Sequence, residues 1–174
     1  MKHKISQYIV ATLYRIGALW CGFLVSMIPL YIVRGMNLDI SVKDAAENLV
    51  TLLVLLATAV VILFFVYRGS DEAAKLDKKG LISLLWIPTA VHLALCVVLC
   101  WSKYVYIFLS EGYALARLLS PGAKDITEQS VWSVLIASLI VTAIPSLGVL
   151  CGCLAARKKR EKERKVLHAD QEHT

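Results

Sequence analysis

The sequence predicts an all-α integral membrane protein, a four-span transmembrane helix bundle with both termini on the cytoplasmic side. Three observations carry this. Of 174 residues, 58% are hydrophobic and only 18% charged, less charge than a soluble domain of this length shows. The apolar residues gather in four blocks, residues 16–33, 49–67, 81–101 and 131–156, each near the roughly 20 helical residues that cross a hydrocarbon core. Lys and Arg are spread unevenly about those blocks, fourteen on one side and five on the other, and such a bias sets orientation. A bilayer offers the backbone no water, so each block must close its own hydrogen bonds as an α-helix.

The first block, "IGALWCGFLVSMIPLYIV", follows a basic start at Lys2 and Lys4. It is longer than the apolar core of a signal peptide, and no small-x-small cleavage site follows it, so it is expected to be retained. Ahead of it, Ile5, Tyr8, Ile9 and Leu13 share a helical face; this segment either lies in the interface or extends the first helix. Arg15 closes the amino-terminal flank and is counted with the cytoplasmic cations.

The connection to the second block contains "SVKDAAEN", where Ser41 stands three residues before Asp44 and predicts a capping box for the second helix. That helix has only Thr51 and Thr58 as polar groups and no stripe of small residues, so it is expected to be the most lipid-exposed. The cytoplasmic loop "RGSDEAAKLDKKG" leads to the third block.

After the third block, "YVYIFLSEGYALARLL" (104–119) is too apolar for a free loop and predicts an interfacial helix, ended by Ser120-Pro121-Gly122. Trp101, Tyr104, Tyr106 and Tyr113 suit the membrane–water boundary. "VKDAAENLV" (42–50) and "AKDITEQSV" (123–131) echo one another before spans two and four; duplication of a two-span hairpin or similar needs at two helix starts would each produce this. Residues 1–156 thus form one transmembrane domain and 157–174 a basic cytoplasmic tail. Within that tail Arg157, Lys158, Lys159 and Arg160 fix orientation and offer contacts to anionic lipid or a protein partner. No aromatic residue interleaves the charges as a nucleic-acid stacking platform would need.

Ionisable groups at membrane depth usually mark transport pathways, because they are expensive there. All thirteen Asp and Glu lie outside the four blocks, which argues against a carboxylate-driven transporter. His92 falls about 16 Å into the third span, near the midplane. With Cys96 and Cys100 it forms a ladder at spacing four on one helical face. Imidazole and thiolate are soft-metal ligands. The three nevertheless spread over about 12 Å, too far for one ion, and Cys21, Cys151 and Cys153 belong to a different depth. No Cys-x-x-Cys occurs. The ladder is therefore read as a polar intramembrane face, with no metal or cofactor implied.

Small residues at spacing four let helix backbones approach where lipid supplies no hydrophobic drive. Span one carries Ala18, Gly22 and Ser26; span four carries Gly148, Gly152 and Ala156. Both stripes lie in the cytoplasmic halves of their spans. Spans one and four are expected to meet there, bringing Cys21 near Cys151. Pro29, Pro88 and Pro145 shape their helices by each removing a backbone hydrogen bond.

Function follows from what the chain offers. No nucleophile–base–orienter set is present, so no enzyme is expected. The bare spans and packing stripes point to a non-enzymatic accessory or scaffold subunit. Its partners would be the lipid bilayer and either another membrane protein or further copies of itself, with no nucleic acid. The alternative is a small transporter or channel-like protein with His92 lining the path.

Overall fold

The computed structural model describes the backbone of residues 2–101, 136 and 139–172, and the side chains among them except those of 2–5, 41, 95–101 and 167–172. The segment 104–119, the second copy of the echo and the start of the fourth block fall outside the described residues. Every regular element among the described residues is helical: α1 (Lys2–Gly35), α2 (Ile40–Arg68), α3 (Asp71–Lys75), α4 (Lys78–Trp101) and α5 (Pro145–Glu172). Three stretches are long and apolar enough to cross a membrane, Ser6–Gly35, Val42–Arg68 and Leu139–Val166.

The amino-terminal segment extends the first helix rather than lying apart from it. At about 1.5 Å per residue α1 runs roughly 50 Å, well beyond a hydrocarbon core of about 30 Å. Its buried positions, Ala11, Thr12, Arg15, Ala18, Leu19, Gly22, Ser26, Leu30 and Val33, recur every three to four residues with Thr12 and Leu19 beside the row, the signature of a single inward face. Leu24, Ile28, Tyr31 and Ile32 look outward, Tyr31 with 72% of its surface exposed.

The second helix does not start where the capping box places it. It begins at Ile40 with Asp39 as N-cap, and the Asp39 side chain makes no capping bond. Ser41 is therefore already inside the first turn. Links from α1 hold this end: the Lys43 ammonium donates to the Arg34 carbonyl at 2.6 Å, and Arg34 Nε meets Glu47 Oε2 at 3.2 Å. An ammonium on the last carbonyls of a helix supplies a missing donor and complements the dipole. The next two starts have side-chain caps. Ser70 accepts from the Ala73 amide at 3.2 Å, and Asp77 Oδ1 accepts from the Gly80 amide at 2.6 Å. Before α5, residues 139–143 are helical and a turn at Ile144 precedes buried Pro145. Proline has no N–H to give, so it starts a new run at the first position where none is required.

The packing order overturns the expected pairing of spans one and four. A Cβ on Gly22 would come within 2.5 Å of the Leu55 carbonyl oxygen. On Gly148 it would reach 2.3 Å from the Val60 oxygen, and on Gly152 2.7 Å from the Phe64 oxygen. Both small-residue stripes thus press on α2. Leu55 and Val60 are five residues apart, which at 100° per residue puts them about 140° apart around α2, so α1 and α5 lie on different sides of it. α2 lies between them, and its apolar stretch is still the least buried of the three, 28% against 33% and 44%, as its lack of a small-residue stripe predicts. One small partner is enough for close approach: glycines on α1 and α5 make room for the bulky face of α2, which needs no small stripe of its own.

The register is equally informative. Moving along α5 from Gly148 to Gly152 moves the contact along α2 from Val60 to Phe64, so those helices run parallel. Gly22 is level with Leu55 and Gly152 with Phe64, nine residues or about 13 Å apart along α2. Cys21 and Cys151, both exposed, accordingly sit at different heights and do not come together. α4 packs against α1 and α5, so that α1, α2, α5 and α4 touch in cyclic order.

Candidate functional site

Arg15 is the residue that reading by blocks misplaced. It stands one position before the first apolar block, yet only 1% of its surface is exposed. It lies on the same face as Ala11, Ala18 and Gly22, and this register is the signal that could have found it: a cation in line with a small-residue stripe points where the stripe points. Small neighbours at Ala11 and Ala18 leave room for its long side chain to run inward.

The guanidinium bridges to α4. Arg15 Nη1 donates to the Thr89 hydroxyl, and Nη2 donates to the Leu85 carbonyl at 3.0 Å. The Thr89 hydroxyl donates to the same carbonyl at 2.6 Å and lies 3.1 Å from Ser146 Oγ on α5. A hydroxyl has one proton and two lone pairs. With its proton on Leu85 and one lone pair taken by Arg15, Thr89 can only accept from Ser146, so the Ser146 hydroxyl is the donor. Every bonding position of Thr89 is used.

α2 contributes Tyr67, buried and within electrostatic reach of both Arg15 and Cys153 of α5. His92, one turn beyond Thr89 on α4, is buried and also feels the Arg15 charge. All four long helices therefore bring a polar or ionisable side chain to this level. The centre of the group is Arg15, which the sequence reading did not single out, and His92 borders the cluster. The backbone of Cys96 and Cys100 continues α4, while their side chains lie outside the described residues. Among the described residues no group of three His, Cys, Asp or Glu side chains converges as a metal site would require.

Arg15 Nε is buried without a hydrogen-bond partner, and no carboxylate bonds the guanidinium among the described residues. Taking such a cation out of water costs several kcal/mol. Neutral oxygens return part of this, about 1.5–3 kcal/mol for each bond to a charged group. The cluster is thus a positive, nearly closed knot joining α1, α4 and α5. It can hold helices in register or attract an anion.

Two clefts border α3. One of about 390 Å³ lies between α1, the end of α2, α3 and α4. It is lined by Ser6, Gln7, Tyr14, Ser70 and Glu72 among others, with Tyr67 in its wall. Gln7 Nε2 donates to Glu72 Oε2 at 3.2 Å, linking α1 to α3. The other, of similar volume, lies between α3 and the charged half of α5. There Arg157 Nη2 donates to the Leu76 carbonyl, which docks the start of the tail on the connection between α3 and α4. These two links put the amino-terminal segment, the 69–77 connection and the tail at one end of the molecule. Arg34, Lys43 and Glu47 mark the other.

The six small residues are all buried: Ala18, Gly22 and Ser26 on α1, and Gly148, Gly152 and Ala156 on α5. Of the basic tail, Arg157 and Arg160 are partly buried while Lys158 and Lys159 are exposed. Comparison with family models, with curated proteins and with solved structures finds no match for this chain.

Proposed function

We propose that this chain is a four-span protein of the cell membrane, with both termini cytoplasmic, acting as a non-enzymatic accessory or scaffold subunit. The observation that carries the reading is how the molecule divides its surface. The Thr89 hydroxyl and two of the three Arg15 nitrogens, deep in the molecule, are spent on ties between its own helices. Its outward faces carry large apolar and aromatic side chains, with Trp86 70% exposed and Ile28 and Tyr31 similar. Lipid covers such faces in a bilayer, and so does the apolar flank of another membrane protein. The placement of the Gln7–Glu72 and Arg157–Leu76 links at one end supports a shared side for the amino terminus, the 69–77 connection and the tail, and the excess of Lys and Arg assigns that side to the cytoplasm.

The test is cross-linking in native membranes from a photoreactive residue at Ile28, Tyr31 or Trp86. A single stoichiometric protein adduct from one face is expected. Lipid adducts alone from all three would refute the accessory reading.

A second reading, a small transporter or channel-like protein, draws on the buried guanidinium with its unpartnered Nε. Among the described residues no carboxylate bonds this cation, which favours an anion as the transported species, and His92 would border its path. Anion efflux from proteoliposomes that is abolished by Arg15→Met would favour this reading over the first.

A further inference from the structure

The tail is more than a distributed positive charge. α5 continues without interruption from its apolar half into the charged half, to Glu172. Residues 157, 160, 161 and 164 therefore share one face, at spacings i, i+3, i+4 and i+7. That face looks across at α3, and the two enclose the cleft of about 390 Å³ lined by Ala74, Lys75, Arg157, Arg160, Glu161 and Arg164. Four cations and one carboxylate make a net charge of about three positive units at neutral pH. The neighbouring Lys158 and Lys159 are not part of it. Neither lines the cleft, and Lys159 Nζ sits 3.8 Å from Glu163 Oε1 on another face of the helix.

The groove is built rather than incidental. α3 is held by its Ser70 cap and by Ala73, which is buried in the core. Arg157, at the base, is fixed to the Leu76 carbonyl and follows directly on Ala156, the last buried small residue of α5. Its position is thus the level at which the apolar part of the helix ends. In a bilayer that level is the headgroup region, where anionic phosphates are concentrated.

We propose that this groove binds the headgroup of a phospholipid carrying two negative charges, with Arg157 at the base and Lys75, Arg160 and Arg164 around the phosphate oxygens. Guanidinium groups form paired hydrogen bonds to phosphate, and several converging on one site favour a compact multivalent anion over a singly charged headgroup. The position beside the apolar half of α5 selects a lipid over a free anion, because acyl chains can lie along that half while the headgroup occupies the groove. The proposal rests on the membrane reading above and needs no protein partner.

The experiment uses the purified full-length protein and native mass spectrometry, titrating phosphatidic acid, cardiolipin, phosphatidylglycerol and phosphatidylcholine. Two double variants remove the same charge: Arg160→Gln with Arg164→Gln inside the groove, and Lys158→Gln with Lys159→Gln outside it. At about 1 kcal/mol per basic residue the groove double should weaken phosphatidic acid or cardiolipin binding about thirtyfold, with the outer double close to wild type. Equal loss in both doubles would show a diffuse field and overturn the site. Binding of phosphatidylcholine as tight as that of the doubly charged lipids would overturn the ligand class. Displacement of the lipid by inorganic phosphate at millimolar concentration would assign the groove to a free anion instead. Carbonate extraction of membranes containing each double separates a failure of the groove, in which the protein stays in the membrane, from a failure of the membrane reading, in which it does not.

Discussion

Gly148→Ala is the sharpest probe of this architecture, because one methyl group meets a backbone rather than a side chain. The new Cβ would lie 2.3 Å from the Val60 carbonyl oxygen and 3.0 Å from the Val60 carbonyl carbon and Cα. Backbone cannot rotate away, so α5 must retreat by about 1 Å to restore ordinary contact, and a gap of that size forfeits a quarter to a half of each dispersion well along the seam. Overpacking of this kind costs about 1–3 kcal/mol. The better helix propensity of alanine offsets up to roughly 1 kcal/mol. Contact with helix backbone places the cost near the top of its range, so a net loss of about 2 kcal/mol is expected. Gly17→Ala is the control: the same substitution on α1, where a Cβ finds nothing within 4 Å. It should be neutral or stabilising by up to about 1 kcal/mol. Reversible unfolding of both variants in mixed micelles, by denaturing-detergent titration, measures the difference. A gap below about 0.5 kcal/mol, the usual scatter for inert surface changes, would refute the close packing of α5 on α2.

Three further outcomes follow from the same geometry. Thr89→Val keeps the shape but removes the acceptor for Arg15 and Ser146, and should destabilise by about 2–4 kcal/mol. Arg15→Met should cost less, because it removes the cation that needs the bonds; in the double variant the effects should fall short of additivity by at least about 1 kcal/mol, and additive effects would break the claimed tie. A variant retaining only Cys21 and Cys151 should give no intramolecular disulfide with a membrane-permeant oxidant, since the register separates them by about 13 Å and a bridge needs Cα atoms within about 7 Å. In a cysteine-free background, Thr89→Cys with Ser146→Cys should cross-link instead. Glu47→Gln removes an ion pair whose Arg34 side chain is 55% exposed, and its effect on the same unfolding curve should stay under about 1 kcal/mol.

Several features were legible because they depend on local pattern alone. The long apolar blocks require helices wherever water is absent, and the small residues Gly22, Gly148 and Gly152 advertise close backbone contact at a spacing that one helix fixes by itself. The helix ends were less legible. Ser41 and Asp44 have the spacing of a capping box, yet α2 starts earlier because Lys43 and Glu47 reach back to Arg34, a contact between two helices that no local motif encodes. The candidate site was half legible. His92 stood out as an isolated polar group in an apolar run, whereas Arg15 was hidden by its place at the border of a block, where a long cation ordinarily snorkels to the surface.

The sequence by itself determined a helical chain with long stretches apolar enough to cross a membrane, three of them present among the described residues, and which helix faces are small enough to be approached. Those properties follow from hydropathy and the 3.6-residue period. Only the tertiary structure decided who approaches whom. A small-residue stripe specifies how near a neighbour comes but carries no address, so spans one and four looked like partners until the glycines were found against Leu55, Val60 and Phe64. The same holds for Arg15. Whether a cation at a helix border turns to water or into the protein depends on Thr89, Leu85 and Ser146 arriving from other helices to bond it, and that arrival is a property of the packed bundle.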